Sequence, residues 1–144
     1  PETTRAVIRD ILAVTDVLSV QTRENFYSHK GQYALQKAVA FIEAHHAEDI
    51  KLQDIVKSCS VNHSTLTKLF KNEFGLTPFA YLWDYRITVS KKLLEFTNLP
   101  VKEIATRCGF KTIQHFSRKF EEELGVSPAV FRTQALARRK ATFS

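Results

Sequence analysis

The chain has 144 residues, 44% of them hydrophobic and 25% charged, with four Gly and four Pro. That is the make-up of an ordinary folded domain, and it excludes a low-complexity, collagen-like or disordered chain. A count of 21 Lys and Arg against 15 Asp and Glu leaves a net charge of +6, so the first partner to test is an acidic one such as nucleic acid. No apolar run approaches the roughly 20 residues of a membrane span. Two cysteines, Cys59 and Cys108, make neither a disulfide framework nor a structural zinc site. The expectation is a soluble cytoplasmic protein with no cofactor, no metal and no membrane partner. The sequence contains no Met, which raises the expectation of a fragment or processed chain whose natural form continues upstream.

In residues 1–32 four basic and four acidic residues cancel, so the whole +6 falls in residues 33–144. Val7, Ile11, Val14 and Leu18 alternate steps of four and three, the seam of a coiled coil over two heptads. This N-terminal helix is expected to pair with a second chain, giving a homodimer through residues 1–28, or to dock on a part not included here. Leu35, Ala38, Val39 and Ile42 predict a helix over about Tyr33–Ala47. A short helix follows at Leu52–Ser58 and a longer one at His63–Phe74, the latter with Leu66, Leu69, Phe70 and Phe74 on one face. Pro78–Phe96 reads as one helix of roughly 28 Å, with Phe79, Leu82, Val89, Leu93 and Phe96 as its apolar stripe and Trp83, Ile87 and Leu94 widening it. Then come a short helix at Val101–Arg107 and a longer one at Thr112–Leu124 with Ile113, Phe116, Phe120 and Leu124. Gly75 and Gly125 stand where a left-handed residue ends a helix, and Thr77-Pro78 and Ser127-Pro128 restart one, with a hydroxyl cap and proline at the first position. The basic end, Arg138-Arg139-Lys140, reads as a disordered tail.

These elements form an internal repeat. At an offset of 50, Leu66, Phe70, Gly75, Leu76, Thr77, Pro78 and Tyr81 meet Phe116, Phe120, Gly125, Val126, Ser127, Pro128 and Phe131. Upstream the offset is 49, pairing Leu52, Asp54, Ile55 and Cys59 with Val101, Glu103, Ile104 and Cys108, so the second copy has one extra residue between its helices. Short helix, tight turn and longer helix make a helix-turn-helix unit. Gly109 suits the turn of the second copy; Ser60 stands in its place in the first, and the two turns should differ. The fold expected is all-α: an N-terminal helix over 1–32, a first helix-turn-helix subdomain over 33–76, a connecting helix over 77–97, a second subdomain over 98–137 and the tail 138–144. Each subdomain is a three-helix, homeodomain-like unit.

From Pro100 to Pro128, with Glu103-Ile104-Ala105, Cys108-Gly109-Phe110, Phe116-Ser117-Arg118-Lys119-Phe120 and Gly125-Val126-Ser127-Pro128, the second copy resembles the signature of the AraC/XylS family of bacterial transcription regulators. The first copy adds Phe70-Lys71-Asn72-Glu73-Phe74-Gly75-Leu76-Thr77-Pro78, then Tyr81-Leu82 and Arg86-Ile87, and the resemblance covers nearly all of residues 33–144. It implies seven helices and a transcription regulator, an activator in most of the family, reading promoter DNA in the nucleoid and contacting RNA polymerase. An upstream domain would sense any effector or make a dimer.

Two recognition helices set on adjacent turns of B-DNA would read two boxes in successive major grooves. The copies differ, so the site should be asymmetric. In the first recognition helix, Ser64, Thr65, Thr67 and Lys68 lie opposite the apolar face and match the family's DNA-touching positions. In the second, Lys111, Gln114, His115 and Arg118 do so, with Gln suited to adenine and Arg to guanine. Lys71, Lys102 and Lys119 and the hydroxyls of Thr112 and Ser117 suit phosphates. The first set has little bidentate capacity, so specificity is expected mainly in the second half. Ile113 continues the apolar spacing of its helix and belongs to the core ahead of any thymine methyl. His45, His46, His63 and His115 read as surface or DNA-facing residues, because the separations of four and seven from the cysteines match no zinc pattern. The alternative function is a helical protein-interaction module with little DNA binding. No nucleotide-binding loop, nucleophile elbow or metalloprotease motif occurs, so no enzyme is expected.

Overall fold

The computed structural model describes residues 24–143, and the side chains of residues 29–142. Among these residues there are seven helices and no strand: α1 (Glu24–His45), α2 (Leu52–Lys57), α3 (His63–Phe74), α4 (Pro78–Phe96), α5 (Val101–Arg107), α6 (Ile113–Leu124) and α7 (Pro128–Phe143). The seam formed by Val7, Ile11, Val14 and Leu18 lies outside the described residues. Helix α1 starts at Glu24 rather than at Tyr33, so the boundary expected at residue 32 falls inside a helix. The chain forms two compact units, the first reaching to His45 and resuming over Ile50–Leu82, the second made by His46–Asp49 with Trp83 onward. The division thus falls within α4.

In the first unit α1 packs on α2 and α3. Its core is Ala34, Ala38, Ile42, Ile55, Leu66, Phe70 and Leu82, all fully or nearly fully buried. Phe70, Phe74 and Tyr81 close it as a ring cluster, with centroids 4.6–5.5 Å apart, in the tilted and edge-on geometries that aromatic quadrupoles favour. The second unit buries Ile87, Leu94, Ile104, Ala105, Cys108, Phe110, Phe116 and Phe120, with Trp83, Val89, Leu93 and Phe131 packed against them.

The buried stripe of α4 differs from the expected one. Phe79 and Phe96, assigned to the core from spacing, are exposed, Phe96 by 66%. The helix buries Leu82, Ile87 and Leu94 as expected, and with them Tyr81, Arg86 and Ser90. An apolar count misplaces this face because two polar residues belong to it, each with its hydrogen bonds made. The Ser90 hydroxyl donates to the Ile87 carbonyl at 2.6 Å, and Arg86 donates from Nε to the His46 carbonyl at 2.7 Å and from Nη2 to the Glu48 carbonyl at 2.8 Å. Burying a polar group costs little once it is bonded in this way.

A parallel contact orders the other end of the chain. Arg132 of α7 reaches back to the Leu94 and Thr97 carbonyls at 3.1 and 3.2 Å, and Arg139 reaches the Glu95 carbonyl at 3.0 Å with its guanidinium over the Phe96 ring. Cations here meet the unpaired carbonyls at the C-terminus of α4, where the helix dipole is negative. The tail expected to be disordered at Arg138-Arg139-Lys140 is therefore helical as far as Phe143.

The two turns differ for a local reason. Gly109 has φ +86°; its amide bonds the Thr106 carbonyl and the Phe110 amide bonds the Ala105 carbonyl, which is a Schellman ending. No residue other than glycine has positive φ among the described residues, so Ser60 stays in an ordinary conformation. The end of α2 is closed by ordinary backbone bonds from the Ser58 and Cys59 amides to the Ile55 and Val56 carbonyls, which also accept from the Ser58 hydroxyl and the Cys59 thiol.

Candidate nucleic-acid interface

Each recognition helix is fixed at both ends by residues that also set which side chains it presents. Asn62 caps α3, its Oδ1 accepting from the Thr65 amide at 2.9 Å. Thr112 caps α6, its Oγ1 accepting from the His115 amide at 3.0 Å. Both helices stop at a left-handed glycine, Gly75 and Gly125, whose amides bond the Lys71 and Glu121 carbonyls. The restarts read from sequence are in place as well: Thr77 Oγ1 accepts from the Ala80 amide and Ser127 Oγ from the Val130 amide. With Leu66 and Phe70 turned inward on α3, and Phe116 and Phe120 on α6, a 3.6-residue period leaves one outer face on each helix.

On α3 that face carries exposed Ser64, Thr65, Lys68 and Lys71. Thr67 does not share it: the residue is half-buried, and its Oγ1 lies out of solvent with no hydrogen-bond partner. The expected reading role is thus corrected to an inward-facing one. His63, in the first turn of α3, is exposed beside the cap. His63 thus lies on the surface as expected, whereas sequence reasoning did not select Asn62, although an Asn directly before an apolar-periodic run is a helix-start signal.

On α6 the outer face carries exposed Gln114 and Arg118, with Ser117 and Lys119 half-buried and Ile113 partly covered. Gln114, Ser117, Arg118, Glu121 and Glu122 line one shallow surface depression. His115 is placed otherwise than expected. Its ring stands edge-on to Trp83 and Phe110, at 5.1 and 5.5 Å between centroids, so it is a member of an aromatic cluster rather than a free reader. His46 and His45 likewise make ring contacts, with Tyr85 and Phe41, and no group of three metal-ligating side chains occurs among the described residues.

Around α6 lie the remaining expected cations. Lys111 is exposed and pairs with Asp49 at 3.3 Å. Lys102 is exposed in the first turn of α5. Thr112 keeps its hydroxyl proton for an outside acceptor, since in the cap its oxygen only accepts. Cys108 is fully buried, and burial pushes its thiol up to about 12. The same desolvation lowers the proton affinity of the neighbouring Arg86, with Asp49 and Cys108 acting in the opposite sense.

The arrangement is a pair of short amphipathic helices, each capped, α3 offering hydroxyl and cationic donors on its outer face and α6 an amide, a hydroxyl and a guanidinium. A helix of this width fits the major groove, and these donors match base edges and phosphate oxygens. No described helix is long and apolar enough to cross a membrane.

Comparison with known proteins agrees with this reading of the fold. Residues 55–134 match a family model described as a helix-turn-helix domain. The HTH-type transcriptional activator RhaS of Enterobacter sp. (strain 638) is 36% identical over 98 residues, which cover 68% of this chain and 35% of that protein. The chain thus spans about a third of the length of the curated relatives it matches. Among solved structures, the DNA-binding domain of AdpA in complex with a target DNA is similar with a TM-score of 0.69 and 29% identity, covering 74% of this chain and 96% of that one. An AraC-type regulator from Chromobacterium violaceum is similar with a TM-score of 0.68 and 30% identity, over 72% and 93% of the two chains. With its duplicated helix-turn-helix, glycine-stopped recognition helices and a family match over more than half its length, the chain belongs to the AraC-type helix-turn-helix family.

Proposed function

We propose that this chain is the sequence-specific DNA-binding part of a bacterial transcription regulator, and that it reads an asymmetric site of two boxes in adjacent major grooves of promoter DNA. The observation that carries the reading is the outer face of α6, where Gln114 and Arg118 stand exposed one turn apart on a helix capped at both ends. Gln and Arg at that spacing present two bidentate groups to successive base edges, the Gln amide donating to N7 and accepting from N6 of adenine and the Arg guanidinium donating twice to guanine. The first box is held by Ser64, Thr65 and Lys68, with Lys71 on phosphate. Its small hydroxyls supply few paired contacts, so α3 anchors more than it selects. Lys111 reads beside Gln114 and Arg118, and Thr112, Ser117, Lys119 and Lys102 fix the register on phosphates.

The regulator is an activator in this reading, as RhaS is named, and activation requires contact with RNA polymerase. An effector, if the whole protein takes one, binds outside these residues, and residues 1–28 supply the homodimer contact. The protein works in the cytoplasm, on the nucleoid, and the chemistry is binding rather than catalysis.

The test is selection from a random duplex library, followed by anisotropy on the selected site over a salt series. The expected result is one asymmetric motif with two boxes about one helical turn apart and an affinity that falls steeply with salt. No enrichment over random DNA by the folded chain would overturn the reading in favour of a protein-interaction module.

A further inference from the structure

The second unit carries its base readers on a helix of the wrong sign for phosphate. Helix α6 holds two cations, Arg118 and Lys119, against three carboxylates, Glu121, Glu122 and Glu123, a net −1 in a chain of +6. At the matching repeat positions α3 has Lys71, Asn72 and Glu73, and with Lys68 that helix is net +1. Glu121 and Glu122 share one surface depression with Gln114 and Arg118. Lys111, just ahead of α6, is paired with Asp49 at 3.3 Å although the two side chains are 77% and 69% exposed. Arg118 and Lys111, the long exposed cations of this surface, thus each have carboxylate company.

Building on the DNA-binding reading, we infer that Asp49, Glu121 and Glu122 are specificity determinants of the second unit, which act by making non-cognate DNA a poor partner. On random DNA the available contacts are phosphates. Lys111 must then leave Asp49 and Arg118 must leave the surface shared with two glutamates, while the three carboxylates face the phosphate charge. At a cognate box Arg118 reads a guanine edge with one side of its five-donor fork, and the glutamates accept from the donors left over. The repulsion is offset there and nowhere else. Affinity is supplied mainly by the basic first helix, and discrimination mainly by the second.

Dissociation constants of the whole chain on its selected duplex and on a random duplex of equal length, over a salt series, test this with Asp49→Asn and the double variant Glu121→Gln, Glu122→Gln. The substituted side chains are not in the buried core, and unchanged thermal melting checks that each variant is folded. Binding to random DNA should tighten about fivefold per carboxylate removed at low salt. Binding to the selected duplex should change by less than about twofold, so the specificity ratio falls. An unchanged ratio in both variants overturns the inference, since the carboxylates would then act as uniform charge or lie off the DNA. A wild-type chain that prefers no duplex overturns the DNA-binding reading and the inference with it.

Discussion

Arg86 binds the His46 carbonyl through Nε at 2.7 Å, across 40 residues of sequence, and so ties the segment after α1 to the buried face of α4. A second donor holds the Glu48 carbonyl, and the guanidinium lies over the Trp83 ring at 4.6 Å. Replacing Arg86 by Gln removes this fork and leaves two carbonyls without their donors, at a cost of about 2–4 kcal/mol. Lysine should restore little, because a single ammonium cannot reproduce the two-pronged geometry. Urea unfolding of Arg86→Gln and Arg86→Lys checks both; full recovery by lysine would show that charge alone matters at this position.

Gly109 should tolerate no side chain. Beyond its φ of +86°, a Cβ there would collide with the His46 carbonyl oxygen and stand 2.8 Å from Arg86 Nε. Gly109→Ala is expected to destabilise by about 2–4 kcal/mol, strain and overpacking together. Gly75→Ala meets open space and should lose only the conformational part, about 1 kcal/mol. Thermal melts of the two variants separate these causes, and equal losses would contradict the collision.

The N-caps are testable in the same way. Asn62→Ala and Thr112→Ala should each cost about 1 kcal/mol, whereas Thr112→Asn keeps an accepting oxygen and should be close to neutral. If Thr112 also donates its hydroxyl proton to phosphate, Thr112→Ala weakens DNA binding beyond its cost in stability, whereas Thr112→Asn, which keeps donors on Nδ2, does not.

Cys108 predicts a pH dependence. Its thiol, raised by burial to about 12 from an ordinary value of 9.0, stays protonated in the fold while the unfolded chain ionises. The unfolded state therefore binds fewer protons between pH 9 and 12, and stability present below pH 9 is lost as pH rises, at up to about 1.4 kcal/mol per unit. Cys108→Ala should flatten that part of the profile. At neutral pH an alkylating reagent should label half-buried Cys59 well before Cys108.

What the sequence shows best is whatever has a local period or a local cap. The ends of α3 and α6 follow from Gly75 and Gly125, the restarts from Thr77-Pro78 and Ser127-Pro128, and the buried pairs Leu66, Phe70 and Phe116, Phe120 from helical spacing. Contacts between distant residues leave no such trace. Nothing near Arg86 announces the His46 and Glu48 carbonyls, and a polar residue on α4 counts against burial until its partners are known. His115 looks like a reader by position, and only the rings of Trp83 and Phe110 show that it is packed. The tail reads as polar and free in the sequence because Arg139 finds its acceptor 44 residues away. The outward placing of Ser64, Thr65, Lys68, Gln114 and Arg118 was legible because it depends on the period of one helix at a time; the Asp49 partner of Lys111 was not, because it comes from another element.

The most direct test of the central claim is the affinity of Arg118→Ala for the selected duplex, measured beside its thermal melt. Arg118 is exposed, so the melt should not move. If α6 reads bases, the variant loses about 10- to 100-fold in affinity, corresponding to about 1–3 kcal/mol, and no longer discriminates at one base pair of the second box. Unchanged affinity and unchanged discrimination, in a folded variant, would contradict base reading by the second recognition helix.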